Sequence, residues 1–262
     1  MNYQSLDIPK YEISFLNNKI NNYCLIIPVI NEGKNIQNLL YKIFKNNLSD
    51  IIDIIIVDGG STDNSLLDID LKKNIRSLLI LRDEGKLSSQ LRCAYSFALH
   101  EEYKGFITID GNNKDDPDLV VDFIRYLDEG YDFVQASRFI KNGKGINTPL
   151  LRYLAIKYIH APTLRFFSNF YWTDTTQGYR AYSRRIFEDK LISPFRKIFH
   201  SYELLCYLSY KVPKLGYKCI EIPSIRTYNK NAKPSKISSL TDHFIILKIL
   251  IYTCLGLYDP KR

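Results

Sequence analysis

Three stretches of this chain set acidic or amide side chains at the ends of β-favouring runs. Tyr23-Cys-Leu-Ile-Ile-Pro28 is followed by Asn31 and Glu32. Ile51-Ile-Asp-Ile-Ile-Ile-Val57 runs into Asp58-Gly-Gly-Ser-Thr-Asp63, and Phe106-Ile-Thr-Ile109 runs into Asp110-Gly-Asn112. Carboxylates so placed can accept hydrogen bonds from ribose hydroxyls or a base N–H, and one can hold Mg²⁺ or Mn²⁺ against a pyrophosphate. Gly111 lets a ligand approach the backbone beside Asp110. The set suits a nucleotide with a metal-bridged diphosphate. Neither GxxxxGK[ST] nor GxGxxG follows the first run, so the P-loop and the dinucleotide fingerprint are both absent. Each residue taken singly also fits turn and helix-capping chemistry; recurrence at three strand ends carries the reading.

The elements that must position these groups alternate. After Glu32, Ile36, Leu39, Leu40 and Ile43 repeat at helical spacing. The run Ile51 to Val57 is nearly all β-branched and reads as a central strand, with Ser61 or Thr62 able to cap a short helix behind it. Ser77 to Leu81 is a further strand, followed by a helix carrying Leu87, Leu91, Ala94, Tyr95 and Ala98. Pro117 opens a helix through Val120, Phe123, Ile124 and Leu127, and Tyr131 to Ala136 is a fifth strand. Strands alternating with helices predict an α/β fold with a mostly parallel sheet and right-handed crossovers. Ligands bind outside the carboxyl ends of such strands, which is where the acidic groups fall.

Beyond Ser137 the texture changes. Arg138 to Pro149 reads as a basic, mobile loop, and Leu150 to Phe170 as an aromatic and basic helix. Asp174 to Tyr182 reads as a polar loop entering a strand, Ser201 to Tyr210 as a helix, and Lys218 to Ile222 as a strand. Tyr228 to Ser235 reads as polar, basic and flexible. Phe244 to Tyr258 is apolar but shorter than the roughly 20 residues that a membrane span needs. It is either a core helix or an interfacial helix lying on a membrane. The expected organisation is an arm over residues 1–22, a single domain over 23–240 and an apolar C-terminal helix over 241–262.

Charge divides the chain. The net is −6 through Tyr131 and +14 from Asp132 onward, giving +8 in all. A basic second part should attract an anionic partner such as a phosphate or an acidic lipid surface. The five cysteines are widely spaced with no CxxC pair, which argues against a zinc site or a disulfide framework. The N-terminus shows no apolar signal segment. These features predict a cytoplasmic protein, peripheral at the inner face of a membrane. The histidines have no ligand spacing. Aromatic residues interleave with Lys and Arg between Tyr153 and Arg185, but a helix packed on the sheet explains them better than base stacking, and no nucleic-acid partner is expected.

Ile26-Ile-Pro28-Val-Ile-Asn31-Glu32, Val57-Asp58-Gly-Gly-Ser-Thr-Asp63, the Asp110 loop and Thr176-Gln-Gly178-Tyr-Arg180-Ala resemble, in order and spacing, the family-2 glycosyltransferases of the GT-A fold. Within that family the chain is most similar to the dolichyl- and polyprenyl-phosphate mannosyltransferase group. The resemblance implies that Pro28, Val29, Asn31 and Glu32 line the nucleotide pocket, that Asp58 contacts base or ribose, and that Gly85 and Lys86 lie beside the nucleotide. Asp110 and Asn112 would manage the metal and sugar diphosphate. Arg138 matches a family Ser-Arg pair near the phosphates, Arg180 and Glu203 match further positions, and Ser235-Lys236 corresponds to a phosphate-holding Ser-Lys segment. Asp110, Arg138 and Lys236 are thus the expected catalytic groups. The family's usual Asp-x-Asp is here Asp110-Gly-Asn112, with one charge fewer, and Asp115 or Asp116 could substitute. Lys230 stands nearest to the arginine usual before the Ser-Lys segment.

The resemblance implies inverting transfer of a sugar from a nucleotide-sugar donor to a lipid phosphate of the polyprenyl type. A phosphate acceptor is already an anion and needs no strong general base, so the protein must chiefly offset repulsion between two anions. Two other readings are a transferase acting on a glycan hydroxyl, for which Asp174 or Glu203 would be the base, and a catalytically weak nucleotide-sugar-binding module.

Overall fold

A computed structural model describes residues 6–66, 71–228 and 240–261. In chain order the elements are β1 (Tyr11–Leu16), β2 (Tyr23–Val29), α1 (Lys34–Lys45), β3 (Asp53–Asp58), α2 (Leu71–Asn74), β4 (Ser77–Leu81), α3 (Leu87–His100), β5 (Gly105–Thr108), α4 (Val120–Asp128), β6 (Phe133–Ser137), β7 (Lys144–Ile146), α5 (Leu150–Ala155), α6 (Ala161–Ser168), β8 (Arg180–Ser183), α7 (Arg184–Glu188), α8 (Glu203–Lys214), β9 (Cys219–Pro223), β10 (Ile225–Thr227) and α9 (Leu240–Cys254). Eight strands form one sheet in the order β1-β4-β3-β2-β5-β8-β6-β9.

Strands β4, β3, β2 and β5 run parallel, as the alternation predicts. Their side chains alternate between two cores. Cys24, Ile26, Ile55 and Val57 pack with α3, α8 and α9 on one face. Leu25, Ile27, Ile54 and Ile56 pack with α1 and α4 on the other. Burial on both faces explains why these strands are continuously apolar. The helical repeat Ile36, Leu39, Leu40 and Ile43 is the buried face of α1.

Four differences from the sequence reading have physical causes. The N-terminal arm contributes β1, which pairs antiparallel with β4 and covers that edge of the sheet. Strand β8 is antiparallel to both β5 and β6, because it is entered from the Asp174 loop at the carboxyl end of β5. The stretch from Arg138 to Pro149 is not wholly irregular: β7 pairs parallel with β10. No helix begins at Ser61 or Thr62, whose polar groups are taken up by neighbouring loops. Helices α5 and α6 are joined by a π-turn over Ile156–His160, so the segment from Leu150 is nearly continuous.

Among the described residues no helix is long and apolar enough to cross a membrane. One side of α9 packs inward through Ile249, Leu250 and Cys254, while Phe244, Ile251, Leu255 and Leu257 are exposed.

Candidate active site

Strands β3, β2 and β5 are adjacent, so Asp58, Asn31 with Glu32, and Asp110 stand at three neighbouring carboxyl ends. The first two loops are tied together. Asp58 Oδ1 accepts from the Ser61 backbone N–H at 3.0 Å and from the Ser61 hydroxyl at 2.6 Å. That hydroxyl accepts from the Asn31 backbone N–H at 3.1 Å, and Asn31 Oδ1 accepts from the Thr62 N–H at 2.7 Å. Asn31 has φ of 50°, a left-handed conformation that asparagine tolerates better than most residues. Beneath the loops, the buried Gln90 amide of α3 donates to Val29 O at 2.8 Å and Val57 O at 2.9 Å. It pairs Val57 O where the parallel ladder opens and gives Val29 O, which also accepts from the Gly59 N–H at 2.8 Å, a second donor.

The Asp110 loop abuts the first of these. A Cβ on Gly111 would lie 3.1 Å from Pro28 O and 3.2 Å from Val29 Cγ2. A Cβ on Gly178 would collide with Asp110 Oδ1, so glycine there lets the Thr176-Gln-Gly178 loop close over the carboxylate. Thr108 Oγ1 donates to Gly178 O at 2.8 Å and fixes that approach. Gly85 and Lys86 begin α3 against the segment before α8: Lys86 N donates to His200 O at 3.0 Å. Glu203 accepts from the His200 and Ser201 N–H groups at 3.0 and 2.6 Å, closing its own turn at the head of α8.

The basic groups are arranged differently from the sequence reading. Arg138 is buried and donates through Nε and Nη2 to Asp174 at 2.6 and 2.8 Å, with side-chain exposures of 1% and 0%. Its remaining donors reach Thr176 Oγ1 and the Tyr228 hydroxyl. Arg180 is wholly buried and donates to the carbonyls of Thr175, Gln177 and Leu205. Both guanidinium groups hold loops rather than face the cleft. Lys230 and Lys236 lie outside the described residues.

The cation that meets Asp110 is Arg226 of β10. Its Nη2 donates to Asp110 Oδ2 at 2.9 Å and its Nη1 to Asp115 Oδ2. Burial pushes the Asp115 carboxyl up, and Arg226 only partly offsets this. At Asp110 burial also acts upward, but Arg226 and Lys114 outweigh it and hold the carboxyl below its ordinary value. Asp115 also accepts from Gln177 Nε2 at 2.7 Å, and Asp116 caps its own turn, so neither replaces Asn112 beside Asp110. Lys114 and Arg152 stand 5.3 and 5.8 Å from the Tyr228 ring. Sequence reasoning did not single out Arg226, Lys114, Arg152 or Tyr228. The basic bias of the second half pointed only generally toward Arg152 and Arg226, and nothing marked Lys114 or Tyr228.

Among the described residues no group of three or more His, Cys, Asp and Glu side chains is placed to hold a metal ion. The donors at hand are the Asp110 carboxylate and the Asn112 carbonyl, whose Oδ1 also accepts from the Lys114 N–H at 3.2 Å. A hard divalent cation commonly takes one or two carboxylates and completes its shell with substrate phosphate and water. The donor set therefore fits a cation shared with a diphosphate.

An open α/β sheet with acidic and amide loops at three adjacent parallel strand ends defines a GT-A type of nucleotide-binding transferase. The glycosyl transferase family 2 model matches residues 24–191, and the chain belongs to that family; it is a glycosyltransferase. It is 22% identical over 242 residues to the polyprenol monophosphomannose synthase of Mycolicibacterium smegmatis, covering 91% of this chain and 89% of that protein. It is 21% identical over 229 residues to Glycosyltransferase AglJ of Haloferax volcanii, covering 85% and 69%. Among solved structures it is similar to glucosyl-3-phosphoglycerate synthase from Mycobacterium tuberculosis in complex with Mn²⁺, uridine diphosphate and phosphoglyceric acid. The TM-score is 0.59 at 14% identity, covering 89% and 77%. Mannosyl-3-phosphoglycerate synthase from Rubrobacter xylanophilus gives 0.62 at 14%, covering 88% and 72%. These two establish likeness of fold.

Proposed function

We propose that this glycosyltransferase moves a sugar from a nucleotide-sugar donor to a polyprenyl-phosphate acceptor, with inversion at the anomeric carbon. The observation that carries the donor half is the convergence of Asp58, Asn31 and Asp110 on three adjacent strand ends. Asp58 and Asn31, already rigid through Ser61, orient the base and ribose; Gly85 and Lys86 flank them. Asp110 and the Asn112 carbonyl face the diphosphate, where a divalent cation, Mg²⁺ or Mn²⁺, would neutralise the leaving group when bound.

The acceptor half rests on the relative named polyprenol monophosphomannose synthase, matched across nearly the whole chain, and on the cations beside Asp110. An acceptor phosphate oxygen attacks the anomeric carbon as the bond from that carbon to the diphosphate oxygen breaks. The nucleoside diphosphate departs with the electron pair, and no proton must move. Arg226, which meets Asp110, and Lys114 and Arg152, which flank the Tyr228 ring, are the described cations assigned to it, and Lys236 is a further candidate from the sequence. The exposed apolar residues of α9, and separately Leu150, Leu151 and Leu154 of α5, support contact of a peripheral protein with a membrane carrying its lipid acceptor. Transfer to a glycan hydroxyl would need a base, and Asp174 is buried on Arg138.

The test is incubation with labelled nucleotide sugars, Mn²⁺ and liposomes containing a polyprenyl phosphate. Label should enter the organic phase. Label confined to water-soluble glycan, or no transfer with any donor, would reject the acceptor assignment.

A further inference from the structure

Asp110, at the carboxyl end of β5, is partly open, with its side chain 25% exposed, and it is already engaged by Arg226. Arg226 is itself anchored. Its second amino group holds Asp115, whose side chain is fully buried and is also bonded by Gln177. Its strand is fixed on both sides, by pairing with β7 and by the bond from Thr227 N to Lys114 O at 2.8 Å. Arg226 therefore has a permanent partner in Asp115 and a replaceable one in Asp110. The neighbourhood is close to balanced: the carboxylates of Asp110 and Asp115, with Glu32 across Gly111, against Arg226, Lys114 and, across the Tyr228 ring, Arg152.

That balance makes a bare divalent cation a poor guest. It would compete with a guanidinium already in place and add two positive charges beside it. A cation carrying a diphosphate adds little net charge, and its phosphate oxygens give the displaced guanidinium and Lys114 new acceptors. We propose that Arg226 is the resident counter-ion of Asp110, excluding free divalent metal and yielding Asp110 only to metal that arrives with a nucleoside diphosphate. Asp115 keeps the displaced arginine within reach of the diphosphate throughout. This deepens the donor-site reading above and rests on it.

Mn²⁺ binding, read from loss of the electron paramagnetic signal of the free aquo-ion, tests it in the full-length protein without turnover. Wild type should bind Mn²⁺ alone weakly, and clearly more tightly once uridine or guanosine diphosphate is added. The paired variant Arg226→Met with Asp115→Asn removes the guanidinium without stranding a buried carboxylate. It should bind Mn²⁺ alone severalfold more tightly than wild type: the pair leaves the net charge unchanged, so the gain comes from freeing the Asp110 carboxylate of its competing guanidinium. Adding Asp110→Asn to that pair should abolish the gain. Arg226→Gln, which keeps a donor for Asp115, is the second variant should the pair fold poorly. Equal affinity for Mn²⁺ alone in wild type and a folded variant would overturn the role of Arg226. If neither diphosphate binds wild type with Mn²⁺, the donor reading fails instead, and the comparison with Mn²⁺ alone still decides Arg226.

Discussion

The donor edge of the sheet and the basic half that faces it handle charge in opposite ways. At the ends of β2, β3 and β5 the polar side chains are partly open, and their partners are mostly adjacent backbone N–H groups and hydroxyls. In the second half the strong cations are turned inward. Arg138, Arg180 and Arg226 are each 6% exposed or less, and each is committed to a buried carboxylate or to backbone carbonyls. The formal net of +14 there thus overstates the field a phosphate would meet. Those charges hold loops in place, while Arg152, and Lys114 from the first half, are half-buried.

The contrast is sharpest in what removing a charge should cost. Asp174→Ala leaves the Arg138 guanidinium buried without its carboxylate, and should cost about 3–5 kcal/mol in urea denaturation. Arg138→Met combined with Asp174→Leu should recover most of that. A loss of under about 1 kcal/mol for the single variant would mean that the pair is not the internal brace that its geometry suggests. Asp110→Asn should do the reverse. Arg226 retains Asp115, so stability should change by about 1 kcal/mol or less. Sugar transfer should fall on the order of a hundredfold if Asp110 holds the reacting diphosphate. Equal turnover would remove it from the site.

A smaller effect should appear with pH. Glu221 of β9 accepts from the Thr173 and Asp174 N–H groups at 2.9 and 2.8 Å, and burial pushes its carboxyl up to about 7 against these bonds. With a folded pKa above the unfolded one, its contribution is fully present below the ordinary carboxyl range and is lost as pH rises through about 7. The difference in melting temperature between wild type and Glu221→Gln should therefore shift against wild type between about pH 5 and 7. A constant difference across that window would show that Glu221 does not titrate there.

The donor edge was legible because parallel strands buried on both faces write themselves as unbroken apolar runs, and whatever polar residue ends such a run must lie at the sheet's edge. Asp58 and Asp110 could be placed that way before any coordinates. The opposite wall could not. Nothing in the spacing of Arg226 marks it as the partner of a residue 116 positions earlier, because that pairing depends on β7 and β10, three-residue strands too short to leave a periodic signal. Arg138 was read from the Ser-Arg resemblance as a catalytic group near the phosphates, but sequence cannot tell a cation that greets a ligand from one that braces a loop, and here Arg138 is buried on Asp174. The antiparallel β8 was hidden for a related reason, since its direction is set by the loop before it and not by its own four residues.

Strand β1 has a bearing on how this protein can be handled. It caps β4, whose other neighbour is the interior of the sheet. A chain trimmed to start at Tyr23 would keep every residue of the donor cleft, yet would lay bare a row of unpaired amide groups along Ser77–Leu81. Such a row recruits strands from other molecules, so the shortened protein should self-associate as its concentration rises, and β1 acts as a built-in solubiliser.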